Sequence, residues 1–375
     1  MTAGAAAPLT LDANATEPLR PEARTALLAV LDTAGGNPSS VHGAGRAARR
    51  LLEQAREAIA ARFGARPADT VLTAGGTEAN ALGVHGLAAG RRVLVGATEH
   101  PAVLAAAGPG AIPIPVLPDG TADLDALAAL LATPGAPPAL VCLMAANNET
   151  GVLHPWAAIA ALCRRHGALW HMDAVQAAGR VPLSLAACGA DSLALSGHKL
   201  GGPMGAGALL LRPGLALPAL VAGGGQERGR RGGTEPLPAL AGMAAAAAAA
   251  APAGAARLAV LRDRLEAGLR TLAPEVVIAG AGAPRLPNTA LVILPGAPAE
   301  TQVIALDLAG VRVSAGAACS SGKVARSHVL EAMGYGAASG WGVRVSLPWN
   351  AAEDAPERFL AAWGAMRERL VRRAA

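Results

Sequence analysis

Lys199 has the clearest potential for chemistry in this sequence. It ends SGHK (196–199), where an apolar run beginning at residue 191 meets the glycine-rich GGPMGAGALLL. A lysine at the end of a buried strand is costly unless its charge is paired or neutralised. An aldehyde cofactor removes that cost, because its carbonyl carbon binds the amine covalently. Ser196 and His198 can donate hydrogen bonds to a phosphate. The tetrapeptide therefore predicts a site for a phosphorylated aldehyde, with a surface lysine in a turn as the alternative.

Asp173 ends a second apolar run, ALWHMDA (168–174). A carboxylate in this position favours a cationic partner, and the protonated ring nitrogen of pyridoxal phosphate is such a partner. Gln176, three positions later, can reach the phenolic oxygen of the same cofactor. The interval from Asp173 to Lys199 is 199 − 173 = 26 residues. That length suits a helix and a strand that return the chain to one edge of a parallel sheet, where such sheets bind ligands.

The segment TAGGTEANAL (73–82) predicts a strand, a glycine turn and the start of a helix. Backbone N–H groups from Gly75 to Thr77, with the Thr77 hydroxyl, would form an anion site at a helix N-terminus. Alone this is a weak signal, since the segment is neither GxGxxG nor a P-loop. Together with Lys199 and Asp173 it supplies the missing site for a phosphate.

The elements that must position these residues are short apolar runs alternating with helical patterns. Buried strands are predicted at 71–74, 92–97, 139–145, 168–174 and 191–196, and helices at 48–63, 121–132 and 156–167. This alternation predicts an α/β fold with a mostly parallel central sheet. After about residue 255 a helix, separate strands and a last helix predict a smaller α+β domain. We therefore expect a large domain at 15–255 and a small C-terminal domain at 256–375 together with 1–14.

Composition and charge limit the other classes of function. The 375 residues carry a net charge of +5, spread as scattered arginines, so direct nucleic-acid binding is not expected. The four cysteines form no CxxC pair and no histidine cluster has zinc spacing, so no metal site is predicted. The start lacks the charged region of a signal peptide, and the alanine run 244–251 is too short to span a bilayer. We expect a cytoplasmic protein without a membrane partner.

The motifs resemble one family: the class-V aminotransferase group of fold-type-I pyridoxal-phosphate enzymes, and within it the cysteine desulfurases of the nitrogen-fixation and iron–sulfur-cluster type. The resemblance runs almost end to end. Two departures, Glu17 where threonine is usual and Gly76 where alanine is frequent, are not expected to affect catalysis. The matching segments, in family order, are GNPSSVHGAGRAAR (36–49), TAGGTEANAL (73–82), TEHPAVL (98–104), NNETG (147–151), HMDAVQAAG (171–179), SGHKLGGPMGAGAL (196–209), RRGGTE (230–235) and AGAACSSG (315–322).

The resemblance implies a role for each matching residue. Lys199 would hold the cofactor covalently and carry the substrate α-proton, while His100 would stack on the cofactor ring and assist proton transfers. Asn148 would lie beside cofactor and substrate, and Arg344 would pair with the substrate carboxylate through its bidentate guanidinium. Thr234 would reach the phosphate in the neighbouring subunit, which implies a homodimer. The remaining cofactor contacts would be Gly76, Thr77, Asp173, Gln176, Ser196 and His198.

Cys319 distinguishes the activity within the family. It lies in AGAACSSGKVARSHVL (315–330), whose small residues suit a mobile nucleophile loop. The resemblance implies that its thiolate takes the sulfur of L-cysteine as a persulfide and that alanine is released. The other cysteines, Cys142, Cys163 and Cys188, lie within apolar runs and are expected to be small buried side chains.

Two alternatives remain open from the sequence. One is another class-V enzyme, a selenocysteine lyase or a small-amino-acid aminotransferase; Cys319 argues against the aminotransferase. The other is a nucleic-acid-binding or scaffold protein that kept the fold and lost catalysis; the intact set of Lys199, Asp173 and His100 argues against it. The expected partners are L-cysteine, a second copy of the chain and a sulfur-acceptor protein such as an iron–sulfur scaffold.

Overall fold

The structure, a computed structural model, describes residues 7–33, 35–250, 254–316 and 326–374. Its strands are β1 (Leu9–Thr10), β2 (Thr70–Thr73), β3 (Arg92–Gly96), β4 (Ile112–Ile114), β5 (Ala139–Cys142), β6 (Leu169–Asp173), β7 (Ser192–Ser196), β8 (Gly207–Leu211), β9 (Val277–Ala279), β10 (Thr289–Ile293), β11 (Val311–Arg312) and β12 (Gly342–Ser346). Its helices are α1 (Pro21–Thr33), α2 (Gly43–Arg62), α3 (Gly76–Leu87), α4 (Pro101–Ala107), α5 (Leu124–Leu131), α6 (Trp156–Arg165), α7 (Leu185–Cys188), α8 (Leu237–Ala249), α9 (Ala255–Leu272), α10 (Ala299–Leu308), α11 (His328–Ala332) and α12 (Ala355–Ala374).

The central sheet has seven strands in the order β2-β8-β7-β6-β5-β3-β4. All neighbours pair in parallel except those of β8, which runs antiparallel to both β2 and β7. Its strands β2, β5, β7 and β8 are buried at every position, as expected for a sheet covered by helices on both faces. The predicted α/β fold with a mostly parallel sheet is therefore confirmed.

Helix α2 illustrates how the sequence forms the covering layer. Ala48, Leu52, Ala55 and Ile59 recur at helical spacing and are all buried on one face. The His42 side chain caps the start of the helix by accepting a hydrogen bond from the Gly45 N–H at 3.3 Å. Both α1 and α2 pack against α8, whose many alanines allow the helices to approach closely.

The C-terminal part builds a second, smaller core. A three-stranded antiparallel sheet, β12-β10-β9, packs with α9 and α12 around apolar side chains that include Phe359 and Trp363, both almost fully buried. Leu9 and Leu11 from the N-terminal segment join this core, because β1 pairs with β11. The domain boundary near residue 255 stays a prediction, since residues 251–253 lie outside the described ranges.

Two observations concern membrane spans and metal sites, neither of which the sequence predicted. Within the described ranges, no helix combines the length and the apolar character needed to span a membrane. The same part of the chain has no group of three or more histidine, cysteine or acidic side chains arranged to hold a metal ion.

Candidate active site

A cavity of about 230 Å³ opens where several strands of the central sheet and the start of α3 meet. It brings together most of the residues that the sequence predicted for the cofactor. Those lining it are Gly76, Thr77, His100, Asn148, Asp173, Gln176, Ser196, His198 and Lys199. Four other lining residues were not predicted: Asn80, Met144, Ala146 and Val175.

Lys199 reaches this cavity from the short helical turn that directly follows β7. Its Nζ donates hydrogen bonds to the carbonyl oxygens of Asn14 and of Ala15, the latter at 2.7 Å. Burial lowers the pKa of Lys199 to about 7, and the nearby positive charges of Arg344 and Arg180 act in the same direction. A large fraction of the amine is therefore neutral at physiological pH, which is the form that attacks an aldehyde.

Asp173 is the last residue of β6 and is buried. One carboxylate oxygen accepts the Val175 N–H at 2.9 Å, and the other accepts the side-chain amide of Asn80 at 2.7 Å. Burial raises the pKa of Asp173, while these two hydrogen bonds and the nearby His100 oppose that rise. A buried carboxylate of this kind gains most from a cationic partner, such as a protonated pyridine nitrogen.

His100 stands at the N-cap of α4. Its Nδ1 accepts a hydrogen bond from the Ala102 N–H at 3.1 Å. Burial lowers the pKa of His100, although the charge of Asp173 opposes this. A neutral ring whose Nδ1 is an acceptor carries its hydrogen on Nε2, so this side chain presents one N–H and a flat face for a cofactor ring.

The start of α3 supplies a site for a phosphate. No side chain among the described residues caps this helix at Gly75, so its first N–H groups can donate to an anion. A Cβ atom on Gly76 would lie 2.8 Å from a methyl of Val175 and 3.2 Å from the Ser196 Cβ. The cavity wall is therefore tightly packed around the backbone at this position. The His198 ring contacts the Thr16 hydroxyl at 2.7 Å, and burial lowers the pKa of His198 to about 4.

The donor set fits pyridoxal phosphate. An amine of lowered pKa, a buried carboxylate, a flat neutral imidazole and an open helix start match its aldehyde, ring nitrogen, ring face and phosphate. Lys199, Asp173, His100 and the Gly76–Thr77 backbone would hold these parts in turn.

Gln176 and its neighbours form a buried polar group beside Lys199. The Gln176 amide donates to the Asn14 carbonyl at 3.0 Å, and its oxygen accepts a hydrogen bond from Arg180. Arg180 also forms an ion pair of 3.2 Å with the buried Glu17. Of the two departures from the family pattern, Gly76 lines the cavity, whereas Glu17 is linked to it only through Arg180, which contacts Gln176.

Arg344 and Thr234, both among the described residues, do not line this cavity. Arg344 is buried; it donates to the Asn148 carbonyl at 3.2 Å and pairs with Asp12 at 2.8 Å. Thr234 is exposed. Cys319 lies outside the described residues. The roles predicted for these three residues stay predictions.

Asn80 was not predicted as a site residue, although it lies within the segment TAGGTEANAL (73–82). Gly76 and Asn80 are four positions apart, so both occupy one face of α3. That spacing was the available signal. Asn147, by contrast, does not line the cavity: its side-chain oxygen accepts the Glu149 and Thr150 N–H groups at 2.9 Å each, and its amide nitrogen donates to the Thr98 carbonyl at 3.0 Å.

Known proteins resemble this chain over nearly its whole length. The model of the class-V aminotransferase family matches residues 9–357. A cysteine desulfurase from Cereibacter sphaeroides is 43% identical, covering 94% of this chain and 90% of that protein. An IscS-like cysteine desulfurase from Mycobacterium tuberculosis is 40% identical, covering 92% of both. The solved structure of a NifS-like protein from Rickettsia africae superposes with a TM-score of 0.90 at 32% identity, covering 96% of this chain and 99% of that one.

The matched proteins share this fold, and the matches span the segments that line the cavity. The chain belongs to the class-V aminotransferase family, among its cysteine desulfurases, and its cofactor is pyridoxal phosphate.

Proposed function

We propose that this protein converts L-cysteine to L-alanine and transfers the sulfur to Cys319 as a persulfide. The observation that carries the proposal is the convergence of Lys199, Asp173 and His100 on one cavity, in a chain similar to cysteine desulfurases along its length. When bound, pyridoxal phosphate supplies an aldehyde that captures amines and a ring that takes up electrons from the substrate α-carbon.

Residues of the chain transfer the proton, position the cofactor and bind the substrate. Lys199, whose pKa is lowered to about 7 by burial, is the base that removes the α-proton and returns it to another carbon. Asp173 favours a protonated ring nitrogen, and the His100 ring covers the cofactor face. The Arg344 guanidinium binds the substrate carboxylate, which requires it to exchange part of its contact with Asp12.

Cys319 performs the step that distinguishes a desulfurase. Its thiolate attacks the sulfur of the bound cysteine, forming a sulfur–sulfur bond as the carbon–sulfur bond breaks. The electron pair of the broken bond stays on the substrate β-carbon. This carbon then takes up a proton, and the product is released as alanine. The two sulfur atoms together lose two electrons when they join, and the substrate β-carbon gains the same two when it becomes the methyl group of alanine, so no external oxidant is needed.

The partners follow from the same chemistry. A persulfide must be passed on, so we infer a sulfur-acceptor protein, such as an iron–sulfur scaffold. The exposure of Thr234 supports a homodimer in which this residue reaches the phosphate site of the neighbouring subunit. A reaction that depends on a free thiolate suits a reducing compartment, which supports the cytoplasm as its location.

An absorbance spectrum followed by product analysis tests the proposal. The purified protein should be yellow, its long-wavelength band should change on addition of L-cysteine, and alanine and sulfide should form in the presence of a reducing thiol. A yellow protein that yields neither product would contradict the desulfurase assignment and favour another class-V reaction.

A further inference from the structure

A chain of buried polar side chains runs from β7 to Asp173. The Ser192 hydroxyl contacts Nδ1 of His171 at 2.8 Å, and Nε2 of His171 contacts the Asn80 amide oxygen at 3.0 Å. The Asn80 amide nitrogen donates to the Asp173 carboxylate at 2.7 Å. Ser192 and His171 are fully buried, and Asn80 is 2% exposed, so water does not compete for these bonds.

The direction of each bond in the chain is determined. Burial lowers the pKa of His171 to about 4, so the ring is neutral and carries one hydrogen. The Asn80 amide oxygen can only accept, which places that hydrogen on Nε2 of His171. Nδ1 then accepts from the Ser192 hydroxyl. The reverse arrangement would turn the Asn80 oxygen toward the Asp173 carboxylate, where two acceptors would repel each other.

The fold makes room for the imidazole. His171 and Ser192 are paired positions on the parallel strands β6 and β7, and α3 lies over them. A Cβ atom on Gly83 would lie 2.5 Å from the His171 Cε1 atom, so any larger residue at this position of α3 would displace the ring. Asn80 lies just under one turn earlier on the same helix. Gly83 therefore leaves room for the His171 ring, and Asn80 supplies its hydrogen-bond partner.

We propose that His171 is a positioning residue that fixes which end of the Asn80 amide faces Asp173, and thereby keeps Asp173 ionised and paired with the ring nitrogen of pyridoxal phosphate. The inference rests on the proposed cofactor role of Asp173. Without the imidazole N–H, the Asn80 amide is free to turn its oxygen to the carboxylate. Asp173 would then take up a proton, and the ring nitrogen would lose its counterion.

The state of the ring can be measured without any turnover. In protein labelled with 15N-histidine, His171 should carry its hydrogen on Nε2 and should not become protonated on acidification to about pH 5, as its burial dictates. The His171→Gln variant, which lacks one histidine signal, assigns the resonance. A hydrogen on Nδ1, or a protonated ring at neutral pH, would overturn the proposal even if the protein is an active desulfurase.

The consequence for the cofactor is tested with pyridoxal phosphate labelled at its ring nitrogen. His171→Leu removes the donor, whereas His171→Gln keeps an N–H near the Nε2 position. We expect a protonated ring nitrogen in the wild type and in His171→Gln, and a shift toward the unprotonated resonance in His171→Leu. Unchanged protonation in a folded His171→Leu protein would refute the proposal.

Ser192→Ala provides a second variant if His171→Leu does not fold. It removes the hydroxyl that donates to Nδ1 and adds no bulk. Because the Asn80 oxygen can still accept, we expect the His171 hydrogen to stay on Nε2 and the cofactor nitrogen to stay protonated. A cofactor nitrogen that loses its proton while His171 keeps its Nε2 hydrogen would show that the imidazole N–H does not control Asp173, and would contradict the proposal. A wild type that makes no alanine from L-cysteine would instead reject the proposed function and leave both resonance measurements readable.

Discussion

Glu149 accepts a hydrogen bond of 2.6 Å from the hydroxyl of Ser327, which lies 178 positions later in the chain. Ser327 also caps α11, since its Oγ accepts the Leu330 N–H at 3.1 Å. Both residues are buried. Ser327 follows Cys319 by 327 − 319 = 8 positions, so this contact fixes the chain shortly after the proposed nucleophile to the NNETG motif beside the cavity.

Replacing Ser327 should therefore affect sulfur transfer more than cofactor binding. Ser327→Ala removes one cap and one hydrogen bond to a buried carboxylate, a loss of about 1–3 kcal/mol in the free energy of unfolding. We expect the cofactor spectrum to be unchanged and the rate of persulfide formation to fall, measured by rapid quenching in a single turnover. Ser327→Thr keeps the hydroxyl and is the matched control. Equal persulfide rates in the alanine and threonine variants would contradict the role of the contact.

Cofactor capture by the apoprotein should depend on pH through Lys199. Its pKa is lowered to about 7 by burial, and only the neutral amine attacks the aldehyde. The rate of the absorbance change on mixing with pyridoxal phosphate should rise about tenfold per pH unit below pH 7 and level off above it, because the neutral fraction then approaches one. Lys199→Arg, which keeps the charge, should show no capture. A rate that still rises steeply between pH 8 and 10 would show that the lysine is not perturbed.

Glu99 should tolerate a neutral replacement. This buried residue precedes His100, and one carboxyl oxygen accepts the Met144 N–H at 2.5 Å. Burial, assisted by the nearby negative charge of Asp173, raises the pKa of Glu99 well above its usual range, which favours the neutral carboxyl. Glu99→Gln keeps the acceptor and should melt like the wild type, whereas Glu99→Ala should lose about 1–3 kcal/mol of stability. A glutamine variant as unstable as the alanine variant would indicate a buried charge at this position.

Arg344 should control the affinity for the substrate. If it binds the cysteine carboxylate, Arg344→Lys loses the paired N–H groups and should raise KM by about 10- to 100-fold, the effect of hydrogen bonds between charged groups. The cofactor spectrum without substrate should be unchanged. Steady-state kinetics with L-cysteine provides the measurement. A lowered kcat with an unchanged KM would place the effect on the ion pair of Arg344 with Asp12 rather than on substrate binding.

The strand ends were the part of the site that could be predicted from the sequence. Asp173 and Lys199 each follow an apolar run, and parallel strands bring their carboxyl ends to one edge, so local pattern and general topology were sufficient. The antiparallel direction of β8 was not predicted, because it depends on the path of the turn at 197–206 and not on the composition of the strand. The predicted strands at 139–145 and 168–174 end earlier, at Cys142 and Asp173, where the chain turns into the cavity wall.

Contacts between distant polar residues could not be predicted from local pattern. The pair of Glu17 with Arg180 spans 163 positions, and that of Asn80 with Asp173 spans 93. Arginine and asparagine are usually exposed, so their presence in a sequence does not indicate a buried hydrogen-bond partner. Only the packing of α3 and of the N-terminal segment against the central sheet brings these groups together.

Mass analysis of the peptide containing Cys319 tests the central claim most directly. The holoenzyme is mixed with L-cysteine in the absence of a reducing thiol, trapped with an alkylating reagent and digested. We predict a mass increase of one sulfur atom on Cys319, with alanine formed in equal amount, and neither product in Cys319→Ser although that variant keeps its bound cofactor. Alanine formed at the wild-type rate by Cys319→Ser, or an unmodified Cys319 in turning-over enzyme, would contradict the account.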